Sequence, residues 1–217
     1  AAGIDVMRWD YRQTGLVCSV AHEKSHRNVA HEHFLPAGPF AVLPLPDSED
    51  GEHRSSIVWT EHSALAPAMM RLDADAFVQE IMQRFGDSLG AMRLVGGRWA
   101  YPLALQQASR YVDRRLVLAG DAAHVIHPIA GQGFNLGLRD VAALAECLVD
   151  AHRLGLDIGG GDVLARYERR RRFDTITLMA VTDGLNRLFS TDLAPIRLAR
   201  DIGLAAVNQV PPLKQLF

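Results

Sequence analysis

The first sixty residues alternate apolar runs with turn chemistry. Thr14–Glu23, His31–Leu35, Phe40–Pro46 and Ser55–Glu61 are rich in Val, Ile, Leu, Trp and Phe, which suits pleated strands. Pro36-Ala37-Gly38-Pro39 fits a hairpin connection, and Asp47-Ser48-Glu49-Asp50-Gly51 fits a polar loop between two of the runs. The pattern predicts one antiparallel sheet. Beyond it the period changes. Asp73 can cap a helix running to about Phe85, with Phe77, Ile81 and Phe85 along one stripe, and Gly86 is placed to end it.

Ala91–Leu105 returns to strand-like sequence. Leu116-Val117-Leu118-Ala119 is a short continuous apolar run, as expected of a strand buried on both faces, and it stops at Gly120-Asp121. From Gly133 the spacing of Val141, Leu144, Ala145 and Leu148 predicts a helix with those residues inward. A second helix is expected from about Asp162 to Phe189, after Gly159-Gly160-Gly161, with Phe173, Ile176 and Ala180 on its apolar side. A third is expected near Asp192, where Pro195 is tolerable in the first turn and Pro211-Pro212 limit the end.

Composition narrows the class. Of 217 residues 48% are hydrophobic and 22% charged, with 23 basic against 25 acidic side chains, which is a globular balance and not that of a disordered chain. A formal charge of −2 gives no overall field to hold a phosphate backbone, so nucleic acid is not an expected partner. Cys18 and Cys147 match no disulfide or zinc spacing. No run is long and apolar enough for a spanning helix, and the start carries no secretory pattern. The chain opens without an initiator Met and in mid-pattern, so it is expected to be part of a longer protein.

Chemistry concentrates between Gly120 and Asp140. A strand ending at Gly120-Asp121 would deliver a carboxylate where ligands bind in open α/β sheets, able to accept hydrogen bonds from ligand hydroxyls. Gly131 and Gly133 remove side chains where a loop enters a helix, so backbone N–H groups can approach an anion or polarised carbonyl at the positive helix end. The plainer alternative is that Asp121 caps a turn and the glycines merely permit one. Other signals carry less. Gly86-Asp87-Ser88-Leu89-Gly90 matches the nucleophile-elbow pattern, but a helix precedes it and a strand follows, the reverse of what the motif needs. His22, His26, His31 and His33 read as solvated strand-edge residues, a metal site with His31 and His33 on one strand face being the sharper alternative, and His124 and His127 as residues that hold their loop by bonding backbone groups, a direct part in the site being the alternative. Arg166 and Arg169–Arg172 read as a solvated helix face with Glu168 and Asp174 as partners, a contact with anionic lipid or an acidic protein being the sharper alternative.

The segment from Gly120 to Asp140 resembles the second FAD-binding motif of the single-component flavoprotein aromatic hydroxylases, the para-hydroxybenzoate hydroxylase group. Its fuller pattern (Asp121, His124, His127-Pro128, Gly131-Gln132-Gly133, Asn135, Gly137, Asp140) is most similar to that of the ubiquinone-biosynthesis polyprenylphenol hydroxylases. Trp9-Asp10-Tyr11-Arg12-Gln13 after Ala2-Gly3-Ile4, Phe34–Pro39, Val58-Trp59 and Tyr101-Pro102-Leu103 fit the same subgroup, so the likeness runs along nearly the whole chain.

The resemblance implies an α/β fold, α+β within this chain, of the para-hydroxybenzoate hydroxylase type without its N-terminal Rossmann segment. No G-x-G-x-x-G fingerprint is present. It implies a substrate-domain sheet with helices over residues 1–110, a flavin-facing strand, loop and helix over 111–155, and carboxyl-terminal helices over 156–217. FAD is the implied cofactor and NAD(P)H the co-substrate. Gly120, Asp121, Pro128, Gly131, Gln132, Gly133, Phe134 and Asn135 are the implied cofactor-binding residues, with Asp121 on the ribityl hydroxyls and the loop against the ring; no side chain is required as a nucleophile. The implied activity of the parent is hydroxylation of a polyprenylated phenol by molecular oxygen in ubiquinone synthesis. The implied setting is cytoplasmic with peripheral membrane contact, with a protein-complex contact or a homo-oligomer left open. The chain alone is expected to bind FAD poorly and to lack turnover. Two alternatives stay open: another flavin-dependent oxidoreductase with the same loop, a reductase or a halogenase, and a flavin-free binding or assembly module. A halogenase would need an active-site lysine, and only Lys24 and Lys214 are available.

Overall fold

A computed structural model of the chain describes residues 3–128 and 131–189. In chain order the strands are β1 (Val6–His22), β2 (His31–Leu35), β3 (Gly38–Leu45), β4 (His53–His62), β5 (Met92–Ala108), β6 (Val112–Asp113), β7 (Leu116–Val117) and β8 (His124–Val125). The helices are α1 (Ala66–Arg71), α2 (Ala74–Phe85), α3 (Gly133–Arg153) and α4 (Gly161–Phe189), with a 3-10 turn at Gly120–Ala122. Six strands form a sheet in the order β2-β3-β4-β1-β5-β8, and β6 and β7 form a separate ribbon. The chain divides into two compact units, one of residues 3–12 with Pro102–Gly184 and one of Gln13–Tyr101 with the described residues from Leu185.

In the second unit the expected antiparallel sheet is present: β1 pairs with β4, β4 with β3 and β3 with β2, each antiparallel. Register aligns the apolar positions into rows, Leu16 with Trp59 and Phe40, and Cys18 with Ile57 and Val42. These side chains are buried, as period-two alternation toward one covered face requires. Helix α2 closes that face with Phe77, Ile81 and Phe85, the Trp59 and Phe77 rings lying 5.5 Å apart. Its ends are those the sequence predicts. Asp73 accepts a hydrogen bond from the Ala76 amide at 2.8 Å, and Gly86, at φ 92°, donates to the Met82 carbonyl. The β2–β3 hairpin requires Gly38: its φ is 130°, and a Cβ there would lie 2.5 Å from Cγ2 of Thr60. Helix α1, with Pro67 in its first turn and no side-chain cap, has no counterpart in the sequence reading.

His22 and His26 are buried in the packing of this unit, whereas His31 and His33, on the edge strand β2, are half-buried. His31 and His33 both lie against the Phe85 ring, at 5.4 and 5.6 Å. His22 and His26 join His53, which register places opposite His22, in a cluster with ring separations of 5.7–6.2 Å. The Cys18 thiol is pushed up to about 12 by burial, against the pull of Arg98.

In the first unit the sequence reading needs correction at three elements. The Leu116–Ala119 run is not a strand covered on both faces. Only Leu116–Val117 is strand, half-buried and paired antiparallel with Val112–Asp113, and the Leu118 amide donates to the Tyr111 carbonyl. A four-residue apolar run fits a buried strand and a short ribbon equally, and its length does not separate them. Helix α3 exists as expected, and Leu144 of the expected stripe packs against a buried cluster, but the fully buried positions are Leu136, Asp140, Ala143, Cys147 and Ala151, and Val141 is left 57% exposed. Helix α4 likewise buries Leu164, Tyr167, Arg171, Thr175 and Met179, leaving Phe173 74% and Ile176 49% exposed.

On both helices the inward face carries a charged residue, Asp140 on α3 and Arg171 on α4, which bond each other out of water, so hydrophobicity alone displaces the expected stripe from the buried face. The arginine run is accordingly split. Arg166 pairs with Asp150 and Arg170 with Glu146 at the surface, while Arg171 is interior. The helix expected near Asp192 lies outside the described residues.

Candidate functional site

Ala119 is extended and Gly120 turns the chain at φ 57°, a left-handed conformation that favours glycine, so the 3-10 turn places Asp121 outward. The Asp121 side chain is exposed. Between this turn and the first turns of α3 lies a cavity of about 400 Å³, lined by Ala119, Gly120 and Asp121 on one side and Gly133, Phe134, Gly137, Leu138 and Val141 on the other. The two walls approach closely at their glycines: a Cβ on Gly137 would lie 3.5 Å from the Gly120 Cα. A Cβ on Gly133 would meet nothing within 4 Å, so the helix entrance is open.

Of the eight residues singled out in the sequence, Gly120, Asp121, Gly133 and Phe134 line this cavity together. The other four do not line it. Pro128 and Gly131 are exposed and joined by a hydrogen bond from the Gly131 amide to the Pro128 carbonyl, so Gly131 contributes its φ of 59° and its missing side chain, not a free donor. Gln132 is the α3 N-cap residue and makes no side-chain cap bond; its Oε1 accepts from Asn135 Nδ2 at 3.3 Å. The first turn of α3 contains no acidic residue, so nothing within it offsets the positive end of a 21-residue helix, whose leading amides have no partner inside the helix. The arrangement sets a carboxylate that accepts hydrogen bonds beside a helix end that favours electron-rich atoms, with an apolar wall from Phe134, Leu138 and Val141.

A buried polar group lies beneath the turn. Asp140, fully buried on α3, accepts from the Gly120 amide at 2.9 Å, from His124 Nε2 at 2.6 Å and from Arg171 Nε at 2.7 Å. Burial works to raise the Asp140 carboxyl, but the hydrogen bonds from His124, Arg171 and Gly120 outweigh it and hold the group below its ordinary range. His124 thus bonds a carboxylate where the sequence reading had it bond backbone. His127 is fully buried, its ring 4.9 Å from that of Tyr11, and burial pulls its pKa down to about 4 against the opposing charge of Asp183. The sequence shows Asp140 in the motif but gives it no task, and its arginine run reads as solvent-facing throughout. The three-residue step from Gly137 to Asp140 was a usable signal, since it sets both on one helix face; nothing in a run of four consecutive arginines marks which one turns inward.

Among the described residues no group of His, Cys, Asp or Glu could hold a metal ion, and no helix is long and apolar enough to cross a membrane. The family model described as FAD binding domain matches residues 9–179. The chain is 56% identical to the ubiquinone hydroxylase UbiL of Rhodospirillum rubrum over 217 residues, covering 100% of this chain and 49% of that protein. It is 38% identical to the 3-demethoxyubiquinol 3-hydroxylase of Escherichia coli, covering 99% of this chain and 53% of that one. The fold is shared with the crystal structure of p-nitrophenol 4-monooxygenase PnpA from Pseudomonas putida, at a TM-score of 0.71 and 20% identity over 98% of this chain and 52% of that one. The chain thus spans about half the length of the curated relatives it matches. With its motif segment, its fold and a family model covering most of its length in agreement, the chain belongs to the FAD binding domain family.

Proposed function

We propose that this chain is the part of an FAD- and NAD(P)H-dependent monooxygenase that carries the ribityl-holding carboxylate and the ring-facing helix end, and that the whole enzyme hydroxylates a polyprenylated phenol in ubiquinone synthesis. The observation that carries the reading is the exposed Asp121 on the rim of a cavity of about 400 Å³ whose opposite wall is the glycine-bearing start of α3. The residues fit the cofactor. Gly133 leaves open space where a side chain would stand, and Phe134, Leu138 and Val141 offer an apolar wall to a flat ring. Bound flavin supplies reduction by NAD(P)H and transfer of one atom of molecular oxygen to an electron-rich ring.

The chain's own residues bind and orient. Asp121 accepts hydrogen bonds from ribityl hydroxyls, and the leading amides of α3 stabilise negative charge at the ring edge they face. The segment from Pro128 to Asn135, with a hydrogen bond from the Gly131 amide to the Pro128 carbonyl, holds the ring in place. Of the described residues, those up to 110 contribute the substrate-side sheet, 111–155 the flavin-facing segment and those from 156 a carboxyl-terminal helix. The substrate class is supported by the names of the ubiquinone-pathway relatives. A polyprenyl tail partitions into a bilayer, so the enzyme meets its substrate at a cytoplasmic membrane face.

The test is Asp121→Ala in the full-length protein, followed by flavin titration and by NAD(P)H oxidation with phenolic acceptors. A rise in the FAD dissociation constant of tenfold or more, with loss of phenol-stimulated oxidation, is expected. Unchanged flavin affinity would overturn the assignment.

A further inference from the structure

We infer that Asp140, held by Arg171, is a positioning residue for Asp121: a buried brace between α3 and α4 that fixes the Gly120–Asp121 turn. The inference rests on the flavin reading above and adds to it residues that line no part of the cavity. Three observations support it.

First, the Asp140 carboxylate gathers donors from three separate segments. Oδ2 takes the Gly120 amide at 2.9 Å and His124 Nε2 at 2.6 Å, while Oδ1 takes Arg171 Nε at 2.7 Å. A carboxylate with one oxygen on the turn and the other on α4 ties those two segments to α3 at a single point. Second, the tie is dry. Asp140 is 0% and Arg171 3% exposed, so neither water nor a mobile side chain replaces a lost partner. The Arg171 guanidinium is itself set by Asp174, which accepts from Nη1 at 2.7 Å. Third, the amide that is tied is that of Gly120, whose left-handed φ of 57° sets the direction of the next residue, Asp121. Gly137, one helical turn ahead of Asp140 on α3, faces the same turn: a Cβ there would lie in contact with the Gly120 Cα, at 3.5 Å.

A purely structural pair would support α3 against α4 and would affect ligand binding only in proportion to stability. A brace acting on the turn would alter where the Asp121 carboxylate stands even in a folded protein. The two roles separate in the full-length flavoprotein when Asp140→Asn is compared with Cys147→Ala, a change on the same buried face of α3 that touches neither Gly120 nor Asp121. An Asn side chain has one acceptor oxygen and an N–H₂ group, so it cannot accept from both Gly120 and Arg171 without turning a donor onto a donor.

Asp140→Asn is expected to raise the FAD dissociation constant tenfold or more and to shift the visible circular dichroism of bound flavin. It is also expected to speed amide exchange at Gly120 at least tenfold in the flavin-free protein. Cys147→Ala, at matched loss of melting temperature, is expected to leave the flavin spectrum and the Gly120 exchange unchanged. Should Asp140→Asn fail to fold, Arg171→Lys keeps the charge but not the fixed Nε–H, and the same changes are expected at smaller size. Equal effects of the two α3 variants, or unchanged Gly120 exchange in Asp140→Asn and Arg171→Lys, would overturn the brace. If Asp121→Ala leaves flavin affinity intact while Gly120 exchange still rises in Asp140→Asn, the flavin reading fails and the brace survives as a tie on the turn alone.

Discussion

His127 shows how a single buried side chain writes itself into the pH dependence of stability. Its pKa is drawn from the ordinary 6.5 down to about 4, so between those values the unfolded chain takes up a proton that the folded chain does not. Stability therefore falls as the pH drops from about 6.5 to about 4 and this contribution levels off below, with a total on the order of 3 kcal/mol. His127→Gln is expected to flatten that part of a urea-midpoint-against-pH curve. His22, also lowered by burial, adds a slope of the same sign, so the difference between the two proteins is the quantity to read. Asp140 works in another window. Its folded value lies below the ordinary 3.8, so its stabilisation is present above that value and is lost only as the pH falls through the lower one. The Cys18 thiol, raised to about 12, is expected to resist a thiol reagent at neutral pH until urea opens the fold; labelling at native rates of an exposed cysteine would contradict its place in the core.

Among the elements, α2 was readable end to end and the two longer helices only in part. The α2 stripe of Phe77, Ile81 and Phe85 has no competitor on the helix, and Asp73 and Gly86 mark its limits by side-chain and backbone chemistry that acts locally. Asp73→Ala is expected to cost about 1 kcal/mol in equilibrium unfolding. Ile81→Ala, by opening a void between the helix and the sheet, is expected to cost about 2–5 kcal/mol. Helix α3 instead carries apolar residues on two sides. One stripe runs through Leu136, Ala143 and Cys147, and the other through Phe134, Leu138 and Val141. Periodicity cannot choose between them when the buried stripe also holds a carboxylate. Gly120, Asp121, Gly133 and Phe134 were legible because glycine spacing and the outward aspartate act within a few residues of each other; the apolar wall at Leu138 and Val141 and the partners beneath were not, because Asp140 and Arg171 lie 31 positions apart and only the folded chain brings them together.

Across the whole molecule, the family assignment followed from the motif segment, whereas the extent of exposed apolar surface in the unit of residues 3–12 and Pro102–Gly184 did not. Phe173 at 74% and Ile176 at 49% exposure sit on a helix side that sequence placed in the core. Phe173→Ser and Ile176→Ser are therefore expected to change the unfolding free energy of this chain by no more than about 0.5 kcal/mol, which chemical denaturation would check. A loss of several kcal/mol at either position would restore the inward reading. The chain alone is expected to show little rise in melting temperature with added FAD, because it spans about half the length of its relatives; a large concentration-dependent rise would show that it holds the cofactor unaided.

The carboxylate shared between Gly120 and Arg171 has a genetic consequence. Losing either member strands an ion in the interior, but exchanging both at once for oily side chains of similar bulk, as in Asp140→Leu with Arg171→Met, removes the stranded charge and costs only the acceptor of the Gly120 amide and of His124. Such a double mutant is expected to recover much of the heat resistance that each single change forfeits while leaving the Gly120 hinge loose. Ruggedness and cofactor grip would then be inherited separately, and a lineage could keep the architecture after abandoning the chemistry.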